Sequence, residues 1–486
     1  MAQSSSLGSE LASAELGPVS ANPERGVFCN RTLNLRSIRA IGYDMDYSLI
    51  HYRVEVWEHE AFEHVRDAFL ARGWPVKDLK FDPSSVTRGL TIDLDLGNLI
   101  KPNRFGYVIK AEHGTRSLSF DSLRRTYART AVDLSADRFV FLNTMFSYSE
   151  ASIFSQLVDL FDAREIPDVP SYAALYRAVR TTLDETHRQG TIKDQIVANP
   201  ERFVELEPGT PLALLDQHHA GKKLMLITNS EWSFTRAMMS YAFDQFLPGG
   251  LKWRDLFDLV IVSSGKPDFF IHRHPLYEVV DEEKSLLHPC ETGFREGGVF
   301  FRGNAALVEE HFGLTGDEIL YVGDHLFGDV QVSKGILGWR TALILREMED
   351  EMRALSGFAP KQLELTQLME QKELLERRLS QVRLREQRER IGYAPVTADG
   401  GDRDKIAALR DQLERLDEQI APLARAAAML VNEKWGPLMR AGADKSLFAR
   451  QVERYADVYT SRISNFLDPT PFFYFRAPRG SLPHDG

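Results

Sequence analysis

Short apolar runs alternate with helical stretches along much of the chain. Five runs stand out: Ser37–Asp44, Lys223–Thr228, Asp258–Ser263, Glu318–Asp324 and Arg340–Leu345. They are rich in Ile, Val and Leu and are strand-sized, which suits strands buried on both faces. Helical segments such as Ser233–Phe246 and Ala305–Phe312 lie between them. That alternation predicts a parallel sheet covered by helices. Several runs end on a residue capable of chemistry, and such sheets bind ligands at the carboxyl ends of their strands.

More than a hundred residues separate the first two runs, too many for one crossover helix. The first part of this insertion, Arg88–His113, alternates apolar and polar positions and carries turn signals at Gly97-Asn98 and Pro102-Asn103, so it reads as β-hairpins. Its later part, Glu150–Asn199, is mostly helical and suits a cap over the strand ends. Farther on, residues 361–391 and 404–421 are rich in Leu, Glu, Arg and Gln. Ile406, Leu409, Leu413, Leu416, Ile420 and Leu423 step by three and four, a heptad seam that Leu365, Leu368, Leu375, Leu379 and Val382 nearly match. With the Pro- and Gly-bearing loop YAPVTADGGD between them, these segments predict an antiparallel helical hairpin with a solvated charged face. The aromatics of Gln451–Arg476, among them Tyr455, Tyr459, Phe466, Phe472, Phe473, Tyr474 and Phe475, read as core packing.

Composition narrows the function classes. The 486 residues carry a formal charge of −11, which argues against a protein whose main task is gripping nucleic acid. Cys29 and Cys290 are the only cysteines, so a reducing, cytoplasmic compartment is the simpler reading. Apolar runs are too short and too interrupted to span a membrane. Residues 1–26 are small and polar, lack the form of a signal peptide, and are expected to be a disordered leader.

Chemistry concentrates at the strand ends. Asp44 and Asp46, two residues apart on an extended segment, project to one side. Close carboxylates need a cation, and with one present the first can attack phosphorus while the second donates a proton to the leaving oxygen. Asp93-Leu94-Asp95 has the same spacing but sits in the hairpin stretch and reads as surface. Thr228-Asn229-Ser230 follows one buried run and suits phosphate oxygens, with helix capping by Asn229 or Ser230 as the plainer alternative. Lys266 would neutralise phosphate charge. Asp324 and Asp329 suit a hard cation such as Mg²⁺, while His325 reads as a local hydrogen-bonding residue.

In that order, D-x-D, T-N-S, K-P and G-D-x-x-x-G-D resemble the four motifs of the haloacid dehalogenase-like phosphatases. The longer strings IGYDMDYSLIHY, LITNSEWSFTRAMMSY, GKPDFF and ILYVGDHLFGDVQVSK resemble the cytosolic purine 5′-nucleotidases, the IMP/GMP-preferring enzymes and their bacterial relatives. The resemblance implies an α/β, Rossmann-like parallel sheet with an inserted, mainly helical cap and a C-terminal helical hairpin. The expected division is a leader over 1–26, a first core part with the β-hairpin insertion over 27–125, a cap over 126–204, a second core part over 205–350, the hairpin over 351–435 and a segment packing on the core over 436–486. It implies Asp44 as nucleophile and Asp46 as the acid, then base, which must start protonated. Mg²⁺ would be held by Asp44, the Asp46 carbonyl, Asp324 and, through water, Asp329. Thr228, Asn229 and Lys266 would hold the phosphoryl oxygens. Phe146, Arg180, Asp184, His187 and Lys193 stand where the relatives bind base and ribose, although Ser147 and Arg188 depart from the animal pattern. Asn143, Phe327, Gln451, Arg454 and Tyr455 match a nucleotide effector site, where Gly335 replaces a lysine expected beside Lys334. The expected activity is hydrolysis of purine nucleoside 5′-monophosphates, with phosphotransfer to a nucleoside open to the same intermediate, in a homo-oligomer (dimer or tetramer). The alternatives are a phosphatase of the same chemistry for another small phosphate ester, and a non-catalytic scaffold built on the hairpin.

Overall fold

The five apolar runs lie side by side at the centre of a ten-stranded sheet. The structure, a computed structural model, describes residues 23–393 and 402–480, leaving aside the side chains of residues 23, 187–189 and 402. The sheet contains β1 (Val27–Cys29), β2 (Ala40–Tyr43), β3 (Lys223–Ile227), β4 (Leu259–Val262), β5 (Leu276–Asp281), β6 (Leu286–Pro289), β7 (Val299–Arg302), β8 (Ile319–Gly323), β9 (Arg340–Ile344) and β10 (Val458–Thr460). Their order is β1-β10-β9-β8-β2-β3-β4-β7-β5-β6. From β10 to β7 all neighbours are parallel, and both edges are antiparallel. Every residue of β2, β4 and β8 is buried, which is what continuous Ile/Val/Leu runs achieve when helices cover both faces. The chain leaves β2 for β3 on one side and reaches β8 on the other. The strand order therefore reverses at β2, and a crevice opens beyond its carboxyl end.

The insertion supplies a second, antiparallel sheet of five strands, ordered Arg116–Ser117, Val108–His113, Asn98–Pro102, Thr91–Asp93 and Phe139–Phe141. Helices α1 (Val54–Ala71), α2 (Tyr148–Asp162), α3 (Tyr172–Gln189) and α4 (Thr191–Ala198) pack above the strand ends. The surface reading of Asp93 is corrected here. Asp93 is 0% exposed, and its carboxylate accepts hydrogen bonds from Arg138 at 2.8 and 2.7 Å and from the Tyr127 hydroxyl at 2.9 Å. A buried ion pair explains this D-x-D without catalysis; Asp95 is the exposed member.

After β3 comes α5 (Trp232–Phe243), whose N-cap position is Glu231, with no side-chain capping bond, so neither Asn229 nor Ser230 caps it. Beyond β9, α6 (Met348–Ile391) and α7 (Asp402–Ala428) pack along each other. α6 begins before the sequence pattern suggests and carries Pro360 internally. Val382, Ile406, Leu416 and Ile420 are buried in the seam. Most of the loop expected between these helices, residues 394–401, lies outside the described residues, as do residues 1–22 of the expected leader. The leader's last residues are structured: Pro23–Arg25 forms a turn, and Arg25 pairs with Glu207 and Glu349 at 3.8 and 3.6 Å. In the tail, α8 (Leu447–Tyr455) precedes β10. Phe466 and Phe475 are buried, but Phe472 and Phe473 are 62% and 46% exposed. They fall in and just after a turn, before Tyr474–Phe475 pairs with Leu33–Asn34, which corrects the reading of all these aromatics as core. Among the described residues no helix is long and apolar enough to cross a membrane.

His51, just beyond the first strand-end loop, is buried, and among the described residues neither ring nitrogen has a hydrogen-bond partner. Burial, with Arg346 and Arg25 nearby, pushes its pKa from 6.5 down to about 3. The unfolded chain takes up this proton below pH 6.5 and the native state refuses it, so stability falls as pH drops through that window. Between pH 6.5 and 5 the expected loss is about 2 kcal/mol. Unfolding free energies from urea titrations at the two pH values should differ for the wild type by that much more than for His51→Leu, which lacks the group.

Candidate active site

Parallel packing brings four strand-end loops to one point. Asp44 follows β2, Thr228-Asn229-Ser230 follows β3, Lys266 lies on the loop after β4, and Asp324 and Asp329 lie on the loop after β8. Lys266 Nζ stands 2.8 Å from Asp44 Oδ1 and 2.9 Å from Asp329 Oδ1, with its side chain 4% exposed. It also donates to the Tyr321 hydroxyl at 2.9 Å, which donates to the Ile227 carbonyl at 3.0 Å. Carboxylate oxygens of Asp44, Asp324 and Asp329 lie within 4.8 Å of one another. Gly323 is required by this closeness: a Cβ there would lie 2.4 Å from the Asp329 carboxylate.

The electrostatics are those of a cation site. Burial pushes the Asp44 carboxyl well above its usual range; Lys266 pulls against this, while Asp329, Asp324 and Asp46 add to it. Burial and Asp329 likewise push Asp324 up to about 7, against Arg88, Lys266 and Thr144. One ammonium does not balance so many buried carboxylates, and a hard, oxygen-seeking divalent ion would. The donor set therefore fits Mg²⁺.

Asp46 lines a neighbouring cavity. Its Oδ1 accepts from the Tyr52 hydroxyl at 2.6 Å and its Oδ2 from Ser230 Oγ at 2.7 Å. Lys193 Nζ donates to that same Ser230 hydroxyl at 3.1 Å and pairs with Glu231 at 2.7 Å. Asn229 is bound up with the Lys266 loop: its Oδ1 accepts from the Lys266 N–H at 2.7 Å and Ser264 Oγ at 2.9 Å, and its Nδ2 donates to the Lys266 carbonyl at 3.0 Å. Thr228 is buried, and its hydroxyl accepts from the Ser230 N–H at 3.0 Å.

The cavity, about 590 Å³, runs from Asp46, Asn229 and Ser230 past Lys193 to Phe146, Glu150, Tyr176 and Arg180. Phe146 packs edge-on against Tyr47 and Trp57 at 4.6 and 5.4 Å. Arg180 bonds Glu150 at 3.2 Å and Asp184 at 3.2 Å, so Asp184 meets the cavity through Arg180. Glu150 is buried and also accepts from the Tyr176 hydroxyl, and burial pushes its carboxyl up against the pull of Arg180. His187 is on α3, but its side chain lies outside the described residues. Glu150, Tyr176, Tyr52 and the Ser230–Asp46 bond escaped the sequence reading; the nearest signal was Tyr52 within the string IGYDMDYSLIHY.

The residues matched to an effector site gather around the turn Leu326–Gln331. Asn143 accepts from the Phe327 N–H at 3.4 Å, and Gln331 donates to the Tyr455 hydroxyl at 3.2 Å. Arg454 lies over the Tyr455 ring at 5.1 Å, and Gln451 is buried on the same helix. Lys334, however, is already held by Asp457 at 2.7 Å, with Arg31 and Arg340 on the same carboxylate.

The sheet order, the cap and the four strand-end loops define a haloacid dehalogenase-like phosphohydrolase. The profile of the 5′ nucleotidase family matches residues 27–486, and the chain belongs to that family. It is 27% identical to human 5′-nucleotidase domain-containing protein 2 over 485 residues, covering 94% of this chain and 85% of that protein. Among solved structures it matches an archaeal β-phosphoglucomutase from Pyrococcus (12% identity, 63% of this chain, 87% of the other, TM-score 0.30). It also matches a haloacid dehalogenase-like hydrolase from Xanthomonas campestris (16% identity, 63% and 82%, TM-score 0.24). At such scores both are distant likenesses, and the fold rests on the sheet order described above.

Proposed function

We propose that this member of the family is a Mg²⁺-dependent 5′-nucleotidase for purine nucleoside 5′-monophosphates of the IMP/GMP kind, working through an aspartyl-phosphate on Asp44 in the cytoplasm, as a homo-oligomer. The observation that supports it most is the placement of Asp44 and Lys266, 2.8 Å apart, next to Asp46 and Asn229, which line a cavity of about 590 Å³. An Asp44 oxygen attacks phosphorus, and the bond from phosphorus to the 5′-oxygen breaks. Asp46, held by Tyr52 and Ser230, gives that oxygen its proton. Asp46 then takes a proton from water, whose oxygen attacks phosphorus and releases phosphate from Asp44. A nucleoside hydroxyl in place of water would make the same step a phosphotransfer. Lys266 neutralises developing charge on the phosphoryl oxygens. Mg²⁺, when bound by Asp44, Asp324 and the Asp46 carbonyl, with Asp329 supporting through water, would supply further charge neutralisation and orientation. A purine would lie along Phe146, with Arg180 and Lys193 toward base and ribose. Effector regulation has less support, because a phosphate at Lys334 would have to displace Asp457.

Phosphate release from IMP, GMP, AMP, pyrimidine monophosphates, sugar phosphates and p-nitrophenyl phosphate, with and without Mg²⁺, tests this reading. Purine monophosphates should be hydrolysed best. Arg180→Ala should raise their KM about tenfold or more while leaving p-nitrophenyl phosphate turnover nearly unchanged. A preference for sugar phosphates, with Arg180→Ala indifferent to substrate, would move the assignment to another small phosphate ester.

A further inference from the structure

Arg88 lies behind the acidic cluster and lines neither the nucleoside cavity nor the Asp44 face. It is 2% exposed, on the loop leading into Thr91–Asp93. Its guanidinium grips both oxygens of Glu347, with Nε at 2.8 Å and Nη2 at 2.5 Å. The remaining nitrogen, Nη1, donates to the backbone carbonyl of Asp324 at 3.1 Å and stands 4.0 Å from its Oδ2. Nη2 also reaches the Ile344 carbonyl at 3.4 Å, and the Arg88 N–H donates to the Tyr148 hydroxyl at 3.2 Å. Gly89, at φ +84°, lets the loop come down on Phe448, where a Cβ would lie 2.7 Å from that side chain. One residue thus ties the inserted sheet to the ends of β8 and β9 through its side chain and to the start of α2 through its backbone N–H.

We propose that Arg88 is a positioning residue for the cation site: it fixes the Asp324 turn so that the three carboxylates stand within reach of one ion. The inference rests on the Mg²⁺ reading above. The chain leaves the β8 ladder at Asp324, and a buried carbonyl there needs a donor from elsewhere. Thr144 Oγ1 holds the Asp324 carboxylate at 3.2 Å, so Arg88 and Thr144 fix backbone and side chain separately. Glu347 compensates the guanidinium charge, which lets a cation stand behind a cation site without opposing it. Only a planar fork grips a carboxylate with two nitrogens and still offers a third, so lysine is no substitute.

Binding of Mn²⁺ by electron paramagnetic resonance, and of Mg²⁺ by calorimetry, on the intact chain tests this directly. Arg88→Met should weaken both about ten- to a hundredfold, as loss of an outer partner of a metal ligand does. Arg88→Lys, which keeps the charge but not the fork, should be weakened clearly as well. Turnover of Arg88→Lys should recover largely at saturating Mg²⁺. Arg138→Met, which removes the arginine that pairs with buried Asp93 on the same inserted sheet and contacts none of the three cluster carboxylates, should lower Tm and leave cation affinity unchanged. If Arg88→Met does not fold, Glu347→Gln reads the same coupling. Unchanged Mn²⁺ affinity in the Arg88 and Glu347 variants, with the wild type binding normally, would overturn the proposal. A wild type that binds neither ion would instead bring down the cation reading beneath it.

Discussion

Asn in place of Asp44 is expected to lower turnover of purine monophosphates by about 10⁴-fold or more, a barrier increase of about 5.5 kcal/mol. The amide is nearly isosteric, so the loss would be chemical. An amide oxygen carries no charge with which to attack phosphorus, and every later step needs the ester that attack forms. Stability should hold or improve slightly, since burial, with Asp329, Asp324 and Asp46 nearby, makes the Asp44 carboxylate costly even against the pull of Lys266. Phosphate release and thermal unfolding, measured on the same sample, separate the two effects. Retained turnover would remove Asp44 from the chemistry.

Lys266→Met is the second large effect, and it should act on rate and stability together. Among the described residues Lys266 is the cation in direct contact with both Asp44 and Asp329. Its loss leaves buried carboxylates facing one another, and removing one partner of a buried pair costs about 3–5 kcal/mol. Turnover should fall about 10³-fold, as on loss of a charge aimed at the transferring group. Saturating Mg²⁺ should restore part of the stability, by replacing positive charge, but little of the rate, because the phosphoryl oxygens would still lack this donor. Urea midpoints with and without Mg²⁺, set beside kcat, give the comparison. A variant of normal stability and near-normal kcat would show that the lysine only fills space.

How much of this was legible in the residues follows from how each part is held. β2, β3, β4, β8 and β9 could be read because strands buried on both faces need unbroken apolar runs. β7 could not, since only its first two residues are buried and it ends in an exposed arginine. β10 is three residues long within an aromatic tail, and the edge strands β5 and β6 carry exposed positions. The residues proposed as catalytic were legible because they sit at or just beyond strand ends, where chain order and chemistry coincide. Asp93 misled for the opposite reason: its spacing copies that of Asp44 and Asp46, while its partner Arg138 lies far along the chain. Tyr52 on Asp46 and Tyr176 on Glu150 are likewise contacts made by packing, with no pattern of their own. Arg88 is the extreme case, reaching residues more than two hundred positions away.

The central claim is a covalent bond between Asp44 and phosphorus. Rapid acid quench of the wild-type chain with ³²P-labelled GMP and Mg²⁺, followed by peptide mapping, tests it most directly. The account predicts a transient label on the peptide containing Asp44, released by hydroxylamine and absent when Mg²⁺ is chelated. Single-turnover hydrolysis with no label on the protein, or with label on another residue, would contradict it.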